Sequence, residues 1–193
     1  MPKKILVILG QPQRHSYGGA LMQAYVDGAR AAGADVKELY LGEIKFTACA
    51  STTLQNPVEL EPDLRDAQAA IKWADHLVFV YPIWWGTIPA LLKGFIERVF
   101  QPGFAVNFRE KSPLWDKLLT GRSARLIVSL NTPPWIYRWY FGRPGHNTMK
   151  KTILGFCGVK PVRITEIGPI RGSNEAKRKK WLQQARALGA RQA

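Results

Sequence analysis

Two adjacent tryptophans, Trp84 and Trp85, follow an apolar segment that ends at Tyr81. Pro82 breaks that segment, and Pro89 opens a helical pattern, because proline is tolerated in a first helical turn, where its missing N–H would have no partner. Open α/β sheets bind ligands at the carboxyl ends of their strands, where this loop is predicted to lie. Large flat side chains at such a position indicate a site for a flat, aromatic, partly charged cofactor.

The alternative is that both tryptophans belong to the core, since aromatic pairs more often pack than bind ligands. The helix that follows them has an apolar face that is predicted to be buried. Its members are Leu91, Leu92, Phe95, Ile96 and Val99. The position of the pair, between a strand end and a helix start, favours the ligand-binding interpretation.

A second candidate site is the loop 10–19, which joins the first predicted strand to a helix. Free N–H groups and the helix dipole make such an amino terminus an anion site. Ser16 is the predicted N-cap, and Arg14 and His15 add hydrogen-bond donors. The loop contains neither the Gly-Lys-Ser/Thr of a P-loop nor GxGxxG, so binding of ATP and Rossmann-type dinucleotide binding are disfavoured.

The block that begins at Pro82 resembles the flavodoxin-like NAD(P)H:quinone oxidoreductases, whose members carry Pro-x-x-Trp-x-x-x-Pro-x-x-Leu-Lys-Gly. The matching residues are Pro82, Trp85, Pro89, Leu92, Lys93 and Gly94, followed by Glu97, Arg98, Val99, Phe100 and the turn Pro102 to Ala105. So long a match is specific. The wider resemblance runs from about Ile5 to Leu188 and is weak over 47–63 and 133–145.

The resemblance implies a flavin cofactor, with FAD favoured over FMN, and NAD(P)H as a substrate. His15, Ser16 and Tyr17 match the family loop that holds the flavin phosphate, and the loop 82–85 matches the one that lines the isoalloxazine ring. The full set of predicted cofactor-binding residues is Gln11, His15, Ser16, Tyr17, Pro82, Ile83, Trp84, Trp85, Asn131, Thr132 and Pro133.

The loop after the fourth predicted strand departs from the Thr-Thr-Gly-Gly turn of the family. Asn131 and Thr132 match its start, but Pro133 and Pro134 replace the glycines. Proline has no N–H, so backbone hydrogen bonds to a flavin must come from elsewhere in this turn.

Two residues further along this loop, Tyr137 and His146, are the candidates for a catalytic tyrosine and histidine that the resemblance implies. For His146 the alternative is a residue at the entry of the next helix. On this alternative, the other aromatic side chains of the loop are expected to pack against the protein and hold the loop in place.

Apolar runs and helical periodicities alternate along the chain, which predicts a parallel sheet covered on both faces. The predicted strands are Ile5–Leu9, Val36–Tyr40, Leu77–Val80, Ala124–Leu130 and Val162–Ile167. The predicted helices are Tyr17–Ala32, Pro62–Ala74, Pro89–Phe100, Thr148–Cys157 and Asn174–Leu188, with Gly33 and Gly189 as stops. The expected fold is α/β: one flavodoxin-like domain over residues 1–193, a three-layer sandwich with strand order 2-1-3-4-5.

The amino-acid composition limits the classes of protein to which the chain can belong. With 46% hydrophobic and 22% charged residues, the chain is expected to be globular, and no apolar run reaches membrane-spanning length. Cys49 and Cys157 have no metal or redox-motif spacing, which favours a cytoplasmic location and predicts no metal site.

The formal net charge of +14 raises encounter rates with anions, but nucleic-acid-binding motifs are absent from the sequence. A surface that favours NADPH-like polyanions is the preferred interpretation.

The family resemblance, with which these features agree, implies a flavin-dependent NAD(P)H oxidoreductase that reduces quinones or similar electrophiles by two electrons. The resemblance implies a homodimer with its active site at the interface, with which exposed aromatic residues would agree. One alternative is a one-electron flavodoxin-like carrier, although such carriers are typically acidic. Another is an ancillary subunit that associates peripherally with a membrane transporter, as some relatives do.

Overall fold

A parallel sheet forms the centre of the molecule. The computed structural model describes residues 1–48 and 59–192, so Cys49 lies outside the described residues. The strands are β1 (Lys4–Leu9), β2 (Asp35–Tyr40), β3 (His76–Pro82), β4 (Val106–Phe108), β5 (Trp115–Lys117), β6 (Ser123–Ser129) and β7 (Val162–Ile167). Five of them pair in the order β2-β1-β3-β6-β7, all in parallel. Numbered among themselves, these five strands have the order 2-1-3-4-5, which confirms the predicted flavodoxin-like fold.

Helices cover both faces of this sheet. They are α1 (Tyr17–Ala31), α2 (Pro62–Trp73), α3 (Ala90–Val99), α4 (Pro134–Trp139), α5 (Pro144–Asn147) and α6 (Glu175–Ala190), with a π-helical segment at Thr148–Gly155. α1 and α6 pack on one face, and α2, α3 and the π-helical segment pack on the other. Within residues 1–48 and 59–192, no helix combines the length and apolar character needed to cross a membrane.

Alternation along the strands divides the core into two. In β1, Ile5, Val7 and Leu9 face the α1–α6 layer, whereas Leu6 and Ile8 face the opposite layer. Successive side chains of a strand point to opposite faces, so a strand covered on both sides is apolar throughout. This is why the apolar runs of the sequence predicted the central strands β1, β3 and β6 correctly.

The helix α6 continues to Ala190, so the prediction that Gly189 ends it is wrong. A Cβ at Gly189 would lie 2.0 Å from the carbonyl oxygen of Tyr25, and one at Gly28 would lie 2.0 Å from that of Arg186. The two glycines therefore let the backbones of α1 and α6 touch. Gly189 is needed for close packing rather than for a turn.

Four further differences from the sequence prediction are local. The antiparallel β4–β5 hairpin was not predicted, because strands of three residues are too short to show a period. The predicted loop after β6 contains the helix α4, and the predicted helix at 148–157 is wound as a π-helix over its first eight residues. On α3, Leu92, Phe95, Ile96 and Val99 are buried as predicted, but Leu91 is half-buried.

His76 lies at the start of β3, where it is buried and its Nδ1 is 2.7 Å from the Ser123 hydroxyl oxygen. Burial lowers the pKa of His76 from 6.5 to about 3, and the positive charges of Lys3, Arg125 and Arg163 act in the same direction. The folded protein therefore keeps this imidazole neutral at pH values where the unfolded chain binds a proton.

We expect His76 to make the free energy of unfolding fall as pH falls from about 6.5 towards about 3. One group contributes at most about 1.4 kcal/mol per pH unit in that window. Urea unfolding at several pH values should show a shallower dependence for His76→Gln than for the wild type. Equal slopes for wild type and His76→Gln would contradict the assignment.

Candidate functional site

A cavity of about 260 Å³ opens at the carboxyl ends of β1, β3 and β6. In this sheet the connections reverse direction between β1 and β3, and such switch points are where open α/β sheets bind ligands. The cavity is lined by Gln11, Gln13, Ser16, Tyr17, Gly18, Pro82, Ile83, Trp84, Ser129, Leu130, Asn131 and Ile170. All of these described lining residues have uncharged side chains, so the walls are polar but neutral.

The first wall is the amino terminus of α1, and its cap is built as predicted. The Ser16 hydroxyl oxygen accepts from the backbone N–H of Gly19 at 3.1 Å, so Ser16 is the N-cap. Gln11, which is buried, donates its side-chain N–H to the Ser16 hydroxyl at 2.6 Å and to the Gln13 carbonyl at 2.9 Å. These bonds fix the loop between β1 and α1.

Two residues of the first turn, Tyr17 and Gly18, line the cavity, and Gly18 can do so only with its backbone. N–H groups of a first helical turn have no partner inside the helix and carry the positive end of its dipole. A Cβ at Gly18 would lie 2.7 Å from the side-chain oxygen of Gln11, so a larger residue there would displace the Gln11 amide. The Tyr17 hydroxyl donates to the Arg178 carbonyl at 3.0 Å and ties this end of α1 to α6.

The second wall is a tight turn from Trp84 to Thr87, whose N–H and C=O groups exchange two hydrogen bonds of 3.0 Å. Its central residues Trp85 and Gly86 have φ angles of 49° and 79°, the pattern of a type I′ turn. A bulky residue in the left-handed region is unusual, and strain of this kind, of order 1–3 kcal/mol, is found mostly at functional sites.

The turn gives its two tryptophans different positions. Trp84 lines the cavity and is 44% exposed, whereas Trp85 is fully exposed and lies outside the lining. Neither side chain belongs to the core, so the alternative interpretation of the pair as core residues is wrong. Trp85 has a left-handed backbone conformation, and its side chain lies outside the cavity.

The third wall combines the end of β6 with a segment that the sequence did not single out. Ile170 lines the cavity, and its N–H donates to the Leu130 carbonyl at 3.1 Å. The Asn131 side-chain oxygen accepts from the backbone N–H of Arg171 at 3.0 Å and holds this segment against the loop after β6. The signal available in the sequence was the glycine- and proline-rich turn at 168–172, directly after the fifth strand of the sheet.

Several predicted cofactor-binding residues lie elsewhere. His15 is exposed and is not among the lining residues. Thr132 and Pro133 are half-buried, and Pro133 is the N-cap of α4, where its carbonyl accepts from the Tyr137 N–H at 3.1 Å. The proline pair starts a helix here, so this part of the chain turns away from the cavity.

The two candidate catalytic residues are buried behind the Trp84–Thr87 turn. The Tyr137 hydroxyl donates to the Gly86 carbonyl at 3.0 Å and accepts from the Gly145 N–H at 3.0 Å. The Tyr137 and His146 rings meet edge to face, with centroids 5.1 Å apart. Neither residue lines the cavity, so the structure joins them to each other rather than to the site.

His146 contacts a carboxylate. Its Nε2 is 2.9 Å from Oε1 of Glu166, and Nε of Arg143 is 3.2 Å from the same oxygen. Burial lowers the pKa of His146, and Glu166 opposes this shift. A neutral ring that donates from Nε2 leaves Nδ1 as a buried acceptor, which has no hydrogen-bond partner among the described residues. The residue lies in α5 at the entry to the π-helical segment, as the alternative interpretation expected.

The parallel sheet and the cavity at its switch point define an α/β protein of the flavodoxin-like class. A family model described as having a flavodoxin-like fold, Flavodoxin_2, matches residues 3–189. The chain belongs to this Flavodoxin_2 family.

Named relatives agree with this assignment. The chain is 29% identical over 188 residues to the ribosyldihydronicotinamide dehydrogenase [quinone] of Homo sapiens, a match that covers 82% of this chain and 78% of the human protein. It is 33% identical over 154 residues to the ribosyldihydronicotinamide dehydrogenase-like protein traD of Penicillium crustosum, where 66% of this chain spans 57% of the fungal protein. Among solved structures, Smu.1420 from Streptococcus mutans UA159 is 27% identical with a TM-score of 0.85, covering 97% of this chain and 98% of that one. The chain is therefore classed with oxidoreductase enzymes.

We expect Tyr137→Phe to destabilise the protein, because it removes both hydrogen bonds of the hydroxyl and leaves the buried N–H of Gly145 without that acceptor. The expected loss is about 1–3 kcal/mol in urea unfolding. Tyr140 is a matched control, since it is exposed, and Tyr140→Phe should change stability by less than about 0.5 kcal/mol. Equal stabilities of the two variants would show that the Tyr137 hydroxyl does not hold the turn.

Proposed function

We propose that the chain is a flavin-dependent oxidoreductase that takes two electrons from NAD(P)H and passes them to a quinone or a similar electrophile. The observation that carries the proposal is the neutral cavity at the switch point, between the amino terminus of α1 and the Trp84 turn. The names of the relatives support the choice of donor and acceptor, since the human one is named for a dihydronicotinamide and a quinone.

The residues at this cavity fit a flavin. The first turn of α1, at Tyr17 and Gly18, would bind the phosphate through backbone N–H groups. Trp84 offers a partly exposed aromatic surface on the opposite wall, where a flat ring system can pack. Gln11, Asn131 and Ser129 supply neutral polar groups that can orient a ring without fixing a charge. A bound flavin would supply the hydride chemistry, while the chain binds, orients and excludes water.

For Tyr137 and His146 we propose a role in positioning the site. The Tyr137 hydroxyl holds the Gly86 carbonyl and thereby the turn that carries Trp84. Its pKa is raised, chiefly by burial, so the hydroxyl stays protonated and keeps donating near neutral pH. His146 packs edge to face on the same ring and is itself fixed by Glu166.

The proposal includes a homodimer and a cytoplasmic location, which rest on the family resemblance and on the cysteine usage. FAD remains our preferred flavin over FMN on the same resemblance. Denaturing the purified protein and identifying the released flavin by chromatography distinguishes the two cofactors, and sedimentation equilibrium gives the number of copies.

Binding can be tested with two matched cap variants. Ser16 caps α1 at the cavity, and Asn174 caps α6 in the same way, accepting from the Lys177 N–H at 2.9 Å. Each alanine variant should lose about 1 kcal/mol of stability. We expect Ser16→Ala alone to raise the flavin dissociation constant, by roughly tenfold for one lost polar contact worth about 1.4 kcal/mol. Quenching of flavin fluorescence measures it, and equal affinities in the two variants would place the phosphate elsewhere.

Activity is tested on the reconstituted protein without oxygen. Mixing with NADH, NADPH or dihydronicotinamide riboside should bleach the flavin absorption band, and a quinone added next should restore it. The preferred donor is the one that bleaches the band fastest at limiting concentration. A protein that binds flavin but is bleached by none of the three donors would overturn the proposed reaction.

A further inference from the structure

At the amino-terminal ends of the strands, opposite the cavity, the sheet holds four basic side chains. This basic cluster consists of Lys3, His76, Arg125 and Arg163. The parallel register places Arg125 directly beside Arg163 on the neighbouring strand, and His76 beside Ser123, two residues before Arg125. Lys3 directly precedes β1, whose second residue pairs with His76. The four residues therefore form one row across the starts of β1, β3, β6 and β7.

All four members of the basic cluster lie on the same face of the sheet. Successive side chains of a strand alternate between faces, so residues two or four positions apart share a face. The residues two or four positions after the members of the cluster all belong to the core beneath α1 and α6; they are Ile5, Val78, Ile127 and Ile167. The cluster therefore lies on the α1–α6 face. There the Lys3 ammonium donates to the carbonyl of Gln192, just past the end of α6.

The charges of the basic cluster act on one another across the sheet. β1 and β7 are three strand spacings apart, or about 14 Å. Burial lowers the pKa of Lys3, and the positive charge of Arg163, at the far end of the row, lowers it further. An interaction over that span requires the two long side chains to extend towards each other. Asp75 opposes the shift at Lys3, but neither Lys3 nor Arg163 has an ion pair with any residue in 1–48 or 59–192.

His76 lies within the row and carries a buried nitrogen without a partner. The residue is 2% exposed, and its Nδ1 is 2.7 Å from the Ser123 hydroxyl oxygen. Its Nε2 has no hydrogen-bond partner in the described part of the chain. Buried polar atoms are paired in most structures, so an unpartnered one calls for an explanation. If the Ser123 hydroxyl donates to Nδ1, the neutral ring carries its proton on Nε2, which is then a donor without an acceptor.

The groups that the basic cluster offers to a ligand are donors and positive charges. The Arg125 guanidinium donates to the Thr165 hydroxyl at 2.8 Å and adds its charge to those of Lys3 and Arg163. Charged N–H groups make their strongest hydrogen bonds to anionic oxygens, and the fork of an arginine matches the geometry of a phosphate. Such a set of groups selects an anion.

We propose that the basic cluster is a binding site for a tetrahedral oxyanion of the phosphate class. Lys3 and Arg163 would hold the anion at the surface, since Arg163 is exposed and Lys3 is half-buried, and His76 would donate to it from Nε2. The site is separate from the cavity, because the six residues of β1 span about 20 Å between the two ends of the sheet. The proposal therefore does not rest on the proposed function. The anion can be a free ion or the phosphate of a nucleotide.

Histidine signals in NMR spectra test the site, because the chain contains three histidines and His76→Gln identifies the signal of His76. Adding sodium phosphate at pH 7 to the purified protein should move this signal in a saturable way. Sodium chloride of equal ionic strength should not, since it screens the charges without supplying the oxyanion. ADP, titrated in the same way, distinguishes the two sources: tighter binding than phosphate indicates a nucleotide, and equal or weaker binding indicates a free ion.

Two variants of the basic cluster test its members. Arg163→Gln and Lys3→Gln should each weaken phosphate binding roughly fivefold, the loss expected for one partly exposed charged contact. Lys4→Gln is the matched control, because Lys4 is exposed and directly follows Lys3 but shares its face of β1 with Leu6, in the opposite core. It should bind phosphate as the wild type does. Thermal unfolding checks that all three variants fold.

Three results would overturn the site proposal. The His76 signal would not respond to phosphate, it would respond equally to chloride, or both cluster variants would bind phosphate as tightly as Lys4→Gln. Flavin binding is a separate readout, since no member of the basic cluster lines the cavity. Phosphate binding at His76 by a protein that binds no flavin would contradict only the proposed function, and the reverse result would contradict only the site proposal.

Discussion

The site depends on the parallel pairing of three strands that end at the same edge of the sheet. Pairing of β1 with β3 and of β3 with β6 brings Leu9 beside Val80 and Pro82 beside Ser129. The pairing continues past β1 and β3, because the Gly10 N–H donates to the Val80 carbonyl at 2.8 Å and the Ile83 N–H to that of Ser129 at 2.7 Å. Three loops therefore leave the sheet side by side and enclose the cavity.

The second wall of the cavity is a strained turn that hydrogen bonds stabilise. The left-handed backbone at Trp85 costs free energy that the turn must recover elsewhere. The two hydrogen bonds across the turn and the bond from Tyr137 to Gly86 offset that cost. The same arrangement keeps Trp84 on the cavity and sends Trp85 to the surface, so one buried hydroxyl supports this wall of the site.

The sequence predicted most of the structural features that depend on local residue patterns. The strands follow from apolar runs that alternate with helical periods, their order follows from the flavodoxin-like topology which that alternation suggests, and the Ser16 cap follows from its place before a helical period. Ile170 was not predicted: the turn at 168–172 marks a loop in the sequence, but Ile170 reaches the cavity only through tertiary contacts of that loop. Tyr137 and His146 were assigned by resemblance, which matches residue types but predicts neither that the proline pair starts α4 nor that both side chains are buried.

The most direct test of the account is whether filling the cavity abolishes flavin binding. Ser129 lines the cavity and contributes its backbone carbonyl to the bond with Ile83, which Ser129→Phe retains. Titration of wild type and variant with FMN and FAD, followed by flavin fluorescence, measures the stoichiometry, with thermal unfolding as a check that both fold. The account predicts one flavin per chain for the wild type and none for a folded Ser129→Phe. Equal binding by both proteins, or none by the wild type, would contradict it.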